Sequence, residues 1–401
     1  MAQQPNYETV APRPGIPADH IVDFDYFRPE AHPDEDVYVA LKRLHDAPDV
    51  TWTPRNGGHW IVTRAEDVRW VRATHAIFSH EEIMIPRGAT STMMPPVTAD
   101  PPKLARYRAV LNPAFAPGAI RALEGRAREV AAEAIDALVP LGACEFTGDF
   151  ARVMPVVVFL GIMDLPAERR AEFVTWGGSG VTDQETRNRN AAAVANYLAG
   201  MIDQRARNPG PDLLSRIAGW RTNPRCESEG EVMGMAMVTF VGGLDTVANM
   251  MSFAARHLAT DRQARRRLIA EPALIRQAAE EYIRRHGLTM TSRLIRQDVA
   301  RKGVTMREGE MLLVIDALAG IDERAWPDPM TIDYGRDTRG HDTFGNGPHK
   351  CVGEHLARME LAIFIEEWLK RIPDFRVEPE RPAVTHAGPV IGMRQLGLRW
   401  D

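Results

Sequence analysis

The 401-residue chain is poor in cysteine. Cys144, Cys226 and Cys351 are odd in number and far apart, which argues against a disulfide framework and fits a reducing compartment. No apolar run approaches the roughly 18 uninterrupted residues that a membrane span requires. The start, Met1 to Tyr7, has no basic segment leading into an apolar core, so no targeting peptide is expected and the cytoplasm is the expected location. Basic residues are not in surplus: 49 Lys and Arg stand against 54 Asp and Glu, a net charge of -5. Neither nucleic acid nor a membrane surface is therefore an expected partner, and any basic patch must be local. The chain also lacks internal repeats and low-complexity linkers. It reads as a single domain over residues 1–401, with an irregular Pro-, Asp- and His-rich lead-in over residues 1–35.

What is present centres on Phe344-Gly345-Asn346-Gly347-Pro348-His349-Lys350-Cys351-Val352-Gly353. Gly345 and Gly347 can take backbone angles closed to other residues, and Pro348 stiffens the turn. The following run, Val352 to Arg371, is amphipathic, with Leu356, Met359, Ile363 and Leu369 on its apolar side. Cys351 is thereby placed at a helix N-terminus. There, free N–H groups and the positive end of the helix dipole favour the thiolate, the form that binds metal. A lone cysteine is more often a small buried residue, and the glycine-rich setting is what argues for a ligand loop.

Short helices are expected near 37–47 and 65–74, flanking a hairpin of Val50 to Thr53 with His59 to Thr63 about the turn Asn56-Gly57-Gly58. Ile83 to Pro102 forms a long proline-broken loop that keeps apolar side chains, a composition common in functional loops. Helices are expected over 103–111, 118–139, 153–161, 166–176 and 190–208, with a glycine-rich break at Trp176 to Gly180. Ser228-Glu229-Gly230-Glu231 carries a capping-box pattern. It opens a helix of about 30 residues, some 45 Å long at 1.5 Å per residue. Between Val232 and Phe253 its only polar residues are Thr239, Asp245, Thr246, Asn249 and Ser252, so it should be buried nearly all round. Within it, Gly242-Gly243-Leu244-Asp245-Thr246 combines two helix-weakening glycines with an acid and an alcohol. The Thr246 hydroxyl can bond the Gly242 carbonyl four residues back and bend the helix. Helices over 261–270 and 273–286 follow, then strands over 288–295 and 303–315 and a last hairpin around 387–393. Glu281 and Arg284, three residues apart, share one helix face and can pair.

The Phe-Gly-x-Gly-x-His-x-Cys-x-Gly run of residues 344–353 resembles the heme-binding signature of the cytochrome P-450 family. The Gly242 to Val247 segment and the Glu281 to Arg284 pair fall in family order. The resemblance runs from the hairpin at Trp52 to the C-terminal end and lies nearest the camphor 5-monooxygenase group of bacterial members. It implies a mainly α fold with a small β subdomain. It implies heme b with Cys351 as the iron ligand, Phe344, Gly345 and Gly353 shaping the cofactor loop, and Arg108, Arg293 and His349 binding the propionates. It also implies that Arg336 joins Glu281 and Arg284 in a structural brace. Many members have histidine where this chain has Leu104, which removes one propionate hydrogen bond. By the same resemblance Thr246 donates to bound dioxygen, Asp245 passes protons from solvent, and a hinged lid lies at Trp176 to Gly180.

The resemblance further implies electrons from a 2Fe-2S ferredoxin, supplied by an NADH-dependent reductase. The ferredoxin would dock at a basic patch of Arg69, Arg108 and Lys350 on a monomer. The expected pocket is lined by Met84, Thr92, Met93, Val238, Val241, Gly242, Leu288, Thr289 and Val390. Camphor hydroxylation in the family uses a pocket-loop tyrosine, and this chain has none between Tyr38 and Tyr107. A larger or less polar terpenoid, of the ionone type, is therefore the expected substrate. A peroxide-using peroxygenase and a non-catalytic heme sensor remain alternatives on this pattern.

Overall fold

The structure is a computed structural model that describes residues 8–29, 35–90, 93–176 and 184–401. The expected pocket residue Thr92 and the lid glycines Gly177 to Gly180 lie outside them. The chain divides into two compact units, one of residues 1–105, 281–351 and 385–391, the other of 106–280, 352–384 and 392–401.

The first unit is built on a five-stranded sheet. In spatial order its strands are Val50–Thr53, His59–Val62, Met311–Ile315, Met290–Ile295 and Phe78–Ser79. The predicted hairpin pairs Val50 with Val62 and Trp52 with Trp60. Its turn depends on Asn56, Gly57 and Gly58, all at positive φ. A Cβ at Gly58 would come within 2.7 Å of Trp52 and Val10, so glycine is required there by packing as well as by angle. Trp60 lies parallel to Leu312, and Arg293 lies antiparallel to Leu312 on the other side. The helix Ala65–Ala73 buries Val68 and Val71 against Trp60, Val62, Leu312 and Val314 of this sheet. That burial takes apolar surface out of water and holds helix to sheet.

The second unit is mostly helical around Glu229–Thr260, whose 32 residues span about 48 Å. It packs against Val153–Ile162, Gln184–Arg207 and Glu354–Arg371. By length and composition it is the one helix among the described residues apolar enough to cross a membrane, yet 56% of its most apolar window is buried. A three-stranded sheet of Ala143–Glu145, Gly397–Arg399 and Arg376–Val377 closes the unit. Phe146, Phe150, Phe364 and Trp368 pack ring against ring beside it.

One expectation needs correction. The Ser228 side chain makes no cap bond. Glu231, its supposed partner in the capping box, instead accepts from Tyr107 Oη at 2.7 Å and Trp220 Nε1 at 2.9 Å. Two buried donors outcompete a local cap, because leaving either unpaired would cost more. The core helix runs on through Gly242 and Gly243 as one element. A helix over Leu213–Gly219, capped by Asp212 accepting from the Ser215 amide, was not anticipated.

Candidate active site

The cysteine loop has the backbone its glycines suggested. Gly345 and Gly347 sit at φ 75° and 66°, and the Cys351 amide donates to the Phe344 carbonyl at 2.8 Å, closing the loop on itself. A Cβ at Gly347 would press to 3.2 Å from the Arg72 carbonyl, so the loop lies directly on the end of helix Ala65–Ala73. Of the three cysteines Cys351 alone is exposed, whereas burial pushes the Cys144 thiol up to about 12. Only Cys351 combines access with a preformed loop. The following helix begins at Glu354, with Gly353 at its cap position.

Upstream of the loop, Glu281 and Arg284 are both wholly buried. Arg284 donates through Nε at 2.7 Å and Nη2 at 2.8 Å to the two Glu281 oxygens. Arg336 Nε adds a third contact at 3.1 Å, and the Asp333 amide a fourth at 3.0 Å. The remaining Arg284 donors reach the carbonyls of Gly320 and Pro329. Gly320 must be glycine, since a Cβ there would fall 2.0 Å from the Arg284 carbonyl oxygen. The brace thus ties the segment leading to Cys351 to the end of helix Ile275–Arg285.

Arg293 is 4% exposed, and its Nε has no hydrogen-bond partner among the described residues. Burial pushes its guanidinium down to about 9 and the nearby Arg72 pushes the same way, against Asp316 and Asp100. Arg72 itself is committed to the Asp316 carboxylate and the Asp342 carbonyl. Burial raises the Asp316 carboxyl, with Arg72 pulling it back down. The His349 ring stacks on His80 with centroids 3.4 Å apart and planes within 4°. Burial holds His80 well below the usual histidine value, and Arg293 adds to that effect. A buried cation with an unused N–H suits a ligand that brings a carboxylate. The residues of the first unit therefore fit heme: a thiol for the iron and Arg293 with His349 for a propionate. His80 and Arg72 complete this cluster and were not anticipated, because no local spacing connects them to it.

On the core helix, the Thr246 hydroxyl donates to the Gly242 carbonyl at 2.9 Å. The expectation of burial all round fails here: Val241 is 53% exposed, and a Cβ at Gly242 or Gly243 would meet nothing within 4 Å. A window of bare backbone and aliphatic surface thus opens beside Asp245 and Thr246, and Val238 lies one turn earlier, half-buried. Arg108, on Lys103–Phe115, is half-buried.

In the first unit Leu288 is buried, Thr289 forms an isolated bridge with Val390, and Met84 is half-buried. The Thr289 hydroxyl is engaged by Asp316. Met93 is half exposed, at 50%. Arg69 reaches Asp342 at 2.7 Å and so supports the loop as well as presenting charge, while Lys350 is exposed.

The family model "Cytochrome P450" matches residues 222–394. The chain is 33% identical over 377 residues to the probable cytochrome P450 127A1 of Sinorhizobium fredii, covering 92% of this chain and 91% of that protein. It is 32% identical over 393 residues to the mycinamicin IV hydroxylase/epoxidase of Micromonospora griseorubida, covering 93% and 95%. Among solved structures, cytochrome P450 CYP101C1 superposes with a TM-score of 0.90 at 32% identity over 98% of this chain and 100% of that one. CYP101J2 gives 0.87 at 31% identity over 97% and 99%.

Proposed function

Because the chain belongs to the cytochrome P450 family, we propose that it is a ferredoxin-dependent monooxygenase that hydroxylates a small hydrophobic terpenoid, an ionone-type norisoprenoid or related monoterpenoid, in the cytoplasm. Heme b, held by Cys351, supplies the activation of dioxygen in this family. This chain's own residues then bind, orient and deliver protons. Arg293, His349 and Arg108 neutralise the propionates. Val238, Val241 and Gly242 offer an apolar surface from the core helix, and Met84, Leu288, Thr289 and Val390 offer another from the first unit. Thr246 releases its bond to the Gly242 carbonyl to donate at the reaction centre, and Asp245 resupplies its proton. Lys350, Arg108 and Arg69 steer an acidic 2Fe-2S ferredoxin, which an NADH-dependent reductase keeps reduced.

The observation that carries this reading is the half-buried acid-alcohol pair beside the exposed aliphatic window at Val241 and Gly242 in the core helix. A peroxide-driven enzyme has little use for a proton-delivering pair there, and a sensor has none. The test is reconstitution with NADH, reductase and ferredoxin on a panel containing an ionone and camphor. The reduced carbon monoxide complex should show the thiolate-type Soret band, and Cys351→Ala should abolish it. Thr246→Ala should keep that band and consume NADH, but lose roughly tenfold or more of its hydroxylated product as electrons divert to peroxide. Tight camphor binding with poor ionone binding would refute the substrate assignment, and equal product yield from Thr246→Ala would refute the proton-delivery role.

A further inference from the structure

Three successive backbone carbonyls at the entry to the long loop converge on one residue of the sheet. Ser292, wholly buried on Met290–Ile295, places its hydroxyl 3.0 Å from the Glu82 carbonyl and 2.9 Å from the Met84 carbonyl. Its amide donates to the Ile83 carbonyl at 3.0 Å. On the opposite edge of the same segment, the amides of Ile83 and Met84 donate to the Thr90 hydroxyl oxygen at 3.0 and 3.2 Å. A serine hydroxyl has one proton for its two carbonyls, so it holds both at once by sharing. Ser292→Ala would take this donor from both part-buried acceptors at once. Ile83 and Ile85 are buried at 6% and 1%, which leaves Met84 between them as the half-buried side chain that this clamp presents. Arg293, the next residue along the strand, donates to the Ser292 carbonyl at 2.6 Å. One short strand therefore supports a cofactor cation and grips the loop.

We propose that Ser292 and Thr90 are specificity-positioning residues: by holding the backbone on both edges of the 82–84 segment they fix where Met84 enters the substrate wall. This rests on the reading of Met84 as a pocket residue. A methionine is adaptable on its own, having an unbranched chain and several rotatable bonds. Its selectivity must then come from the fixed origin of the chain, and the two hydroxyls set that origin. The geometry predicts that removing either hydroxyl changes which substrates fit and which carbon is presented, without touching the heme ligand.

The experiment uses the intact heme-loaded protein as wild type and as Met84→Ala, Ser292→Ala, Thr90→Val and Thr90→Ser. The readouts are dissociation constants for an ionone and camphor from the substrate-induced Soret shift, and the positional distribution of products. The carbon monoxide band serves as the check on heme ligation. Ser292→Ala and Thr90→Val should each weaken ionone binding by about three- to tenfold and spread the product distribution in the same sense as Met84→Ala. Thr90→Ser, which keeps the acceptor, should stay at wild-type values. If Met84→Ala changes affinity and product distribution but Thr90→Val and Ser292→Ala do not, the clamp is overturned while the pocket stands. If Met84→Ala changes neither, the pocket reading fails and the proposal falls with it. Should Ser292→Ala not fold, the contrast between Thr90→Val and Thr90→Ser decides alone.

Discussion

In the first unit Glu281 is wholly buried and accepts from Arg284 twice, from Arg336 and from the Asp333 amide. In the second unit Glu360, on the helix Glu354–Arg371, is equally buried, but neither of its oxygens has a hydrogen-bond partner among the described residues. Burial alone pushes the Glu360 carboxyl up to about 8. The two carboxyls show what burial permits. A charge survives in the interior where donors have been assembled around it, and where they have not, the group stays protonated and behaves as a polar but neutral side chain. The Glu281 brace lies upstream of the cysteine loop, so its charge is tied to the segment that leads into that loop.

The most severe way to break this contrast is Glu281→Ala. It leaves Arg284 buried without its counter-charge, and the expected loss is about 3–5 kcal/mol of stability, typical of breaking a buried pair. Denaturant unfolding should register that loss, and heme content after expression should fall with it. A variant with unchanged midpoint and full heme would show that the brace is dispensable. At Glu360 the effect is expected as a pH dependence. Its folded-state value lies above the ordinary 4.5, so the native state holds the proton more tightly than the unfolded chain between those values. Stability should then fall as pH rises from about 4.5 to about 8, by up to about 1.4 kcal/mol per pH unit. Glu360→Gln should flatten that slope and match wild type near pH 4. Parallel slopes for the two proteins would show that Glu360 finds a partner in solution. The mildest change is Arg336→Ala, which removes one part-buried contact from Glu281, together with bonds to the Pro327 and Asp328 carbonyls, and leaves the Arg284 pair intact. About 1.5–3 kcal/mol is expected, the scale of one charge-assisted hydrogen bond. A loss as large as that of Glu281→Ala would shift the centre of the brace to Arg336.

The parts of the fold that could be read from sequence are those whose causes are local. Asn56-Gly57-Gly58 announces a hairpin because positive φ is a property of those residues, and Glu281 with Arg284 announces a pair because three residues bring both to one helix face. The Thr246 back-bond to Gly242 follows from helix geometry in the same way. What could not be read depends on distant packing. His80 meets His349 across 269 positions, Arg72 reaches Asp316 across 244, and Ser292 grips Glu82 from 210 away. The Ser228 capping box fails for the same reason, since the local partner Glu231 is claimed by Tyr107, a residue 124 positions distant. Exposure at Val241 escaped the apolar pattern because periodicity reports how greasy a helix is, not what covers it.

The open space over Gly242 and Gly243 also has a consequence for how this protein could change over generations. In most helices a glycine-to-alanine replacement either clashes with a packed neighbour or touches only solvent. Here the added methyl would meet no protein atom within 4 Å, while gaining about 1 kcal/mol of helix propensity. Under the proposed reading, the same methyl would take volume from the substrate. Small stabilising steps at these two positions would therefore narrow the range of molecules accepted. Wide substrate tolerance in this protein would then depend on leaving the middle of its central helix less stable than it could be.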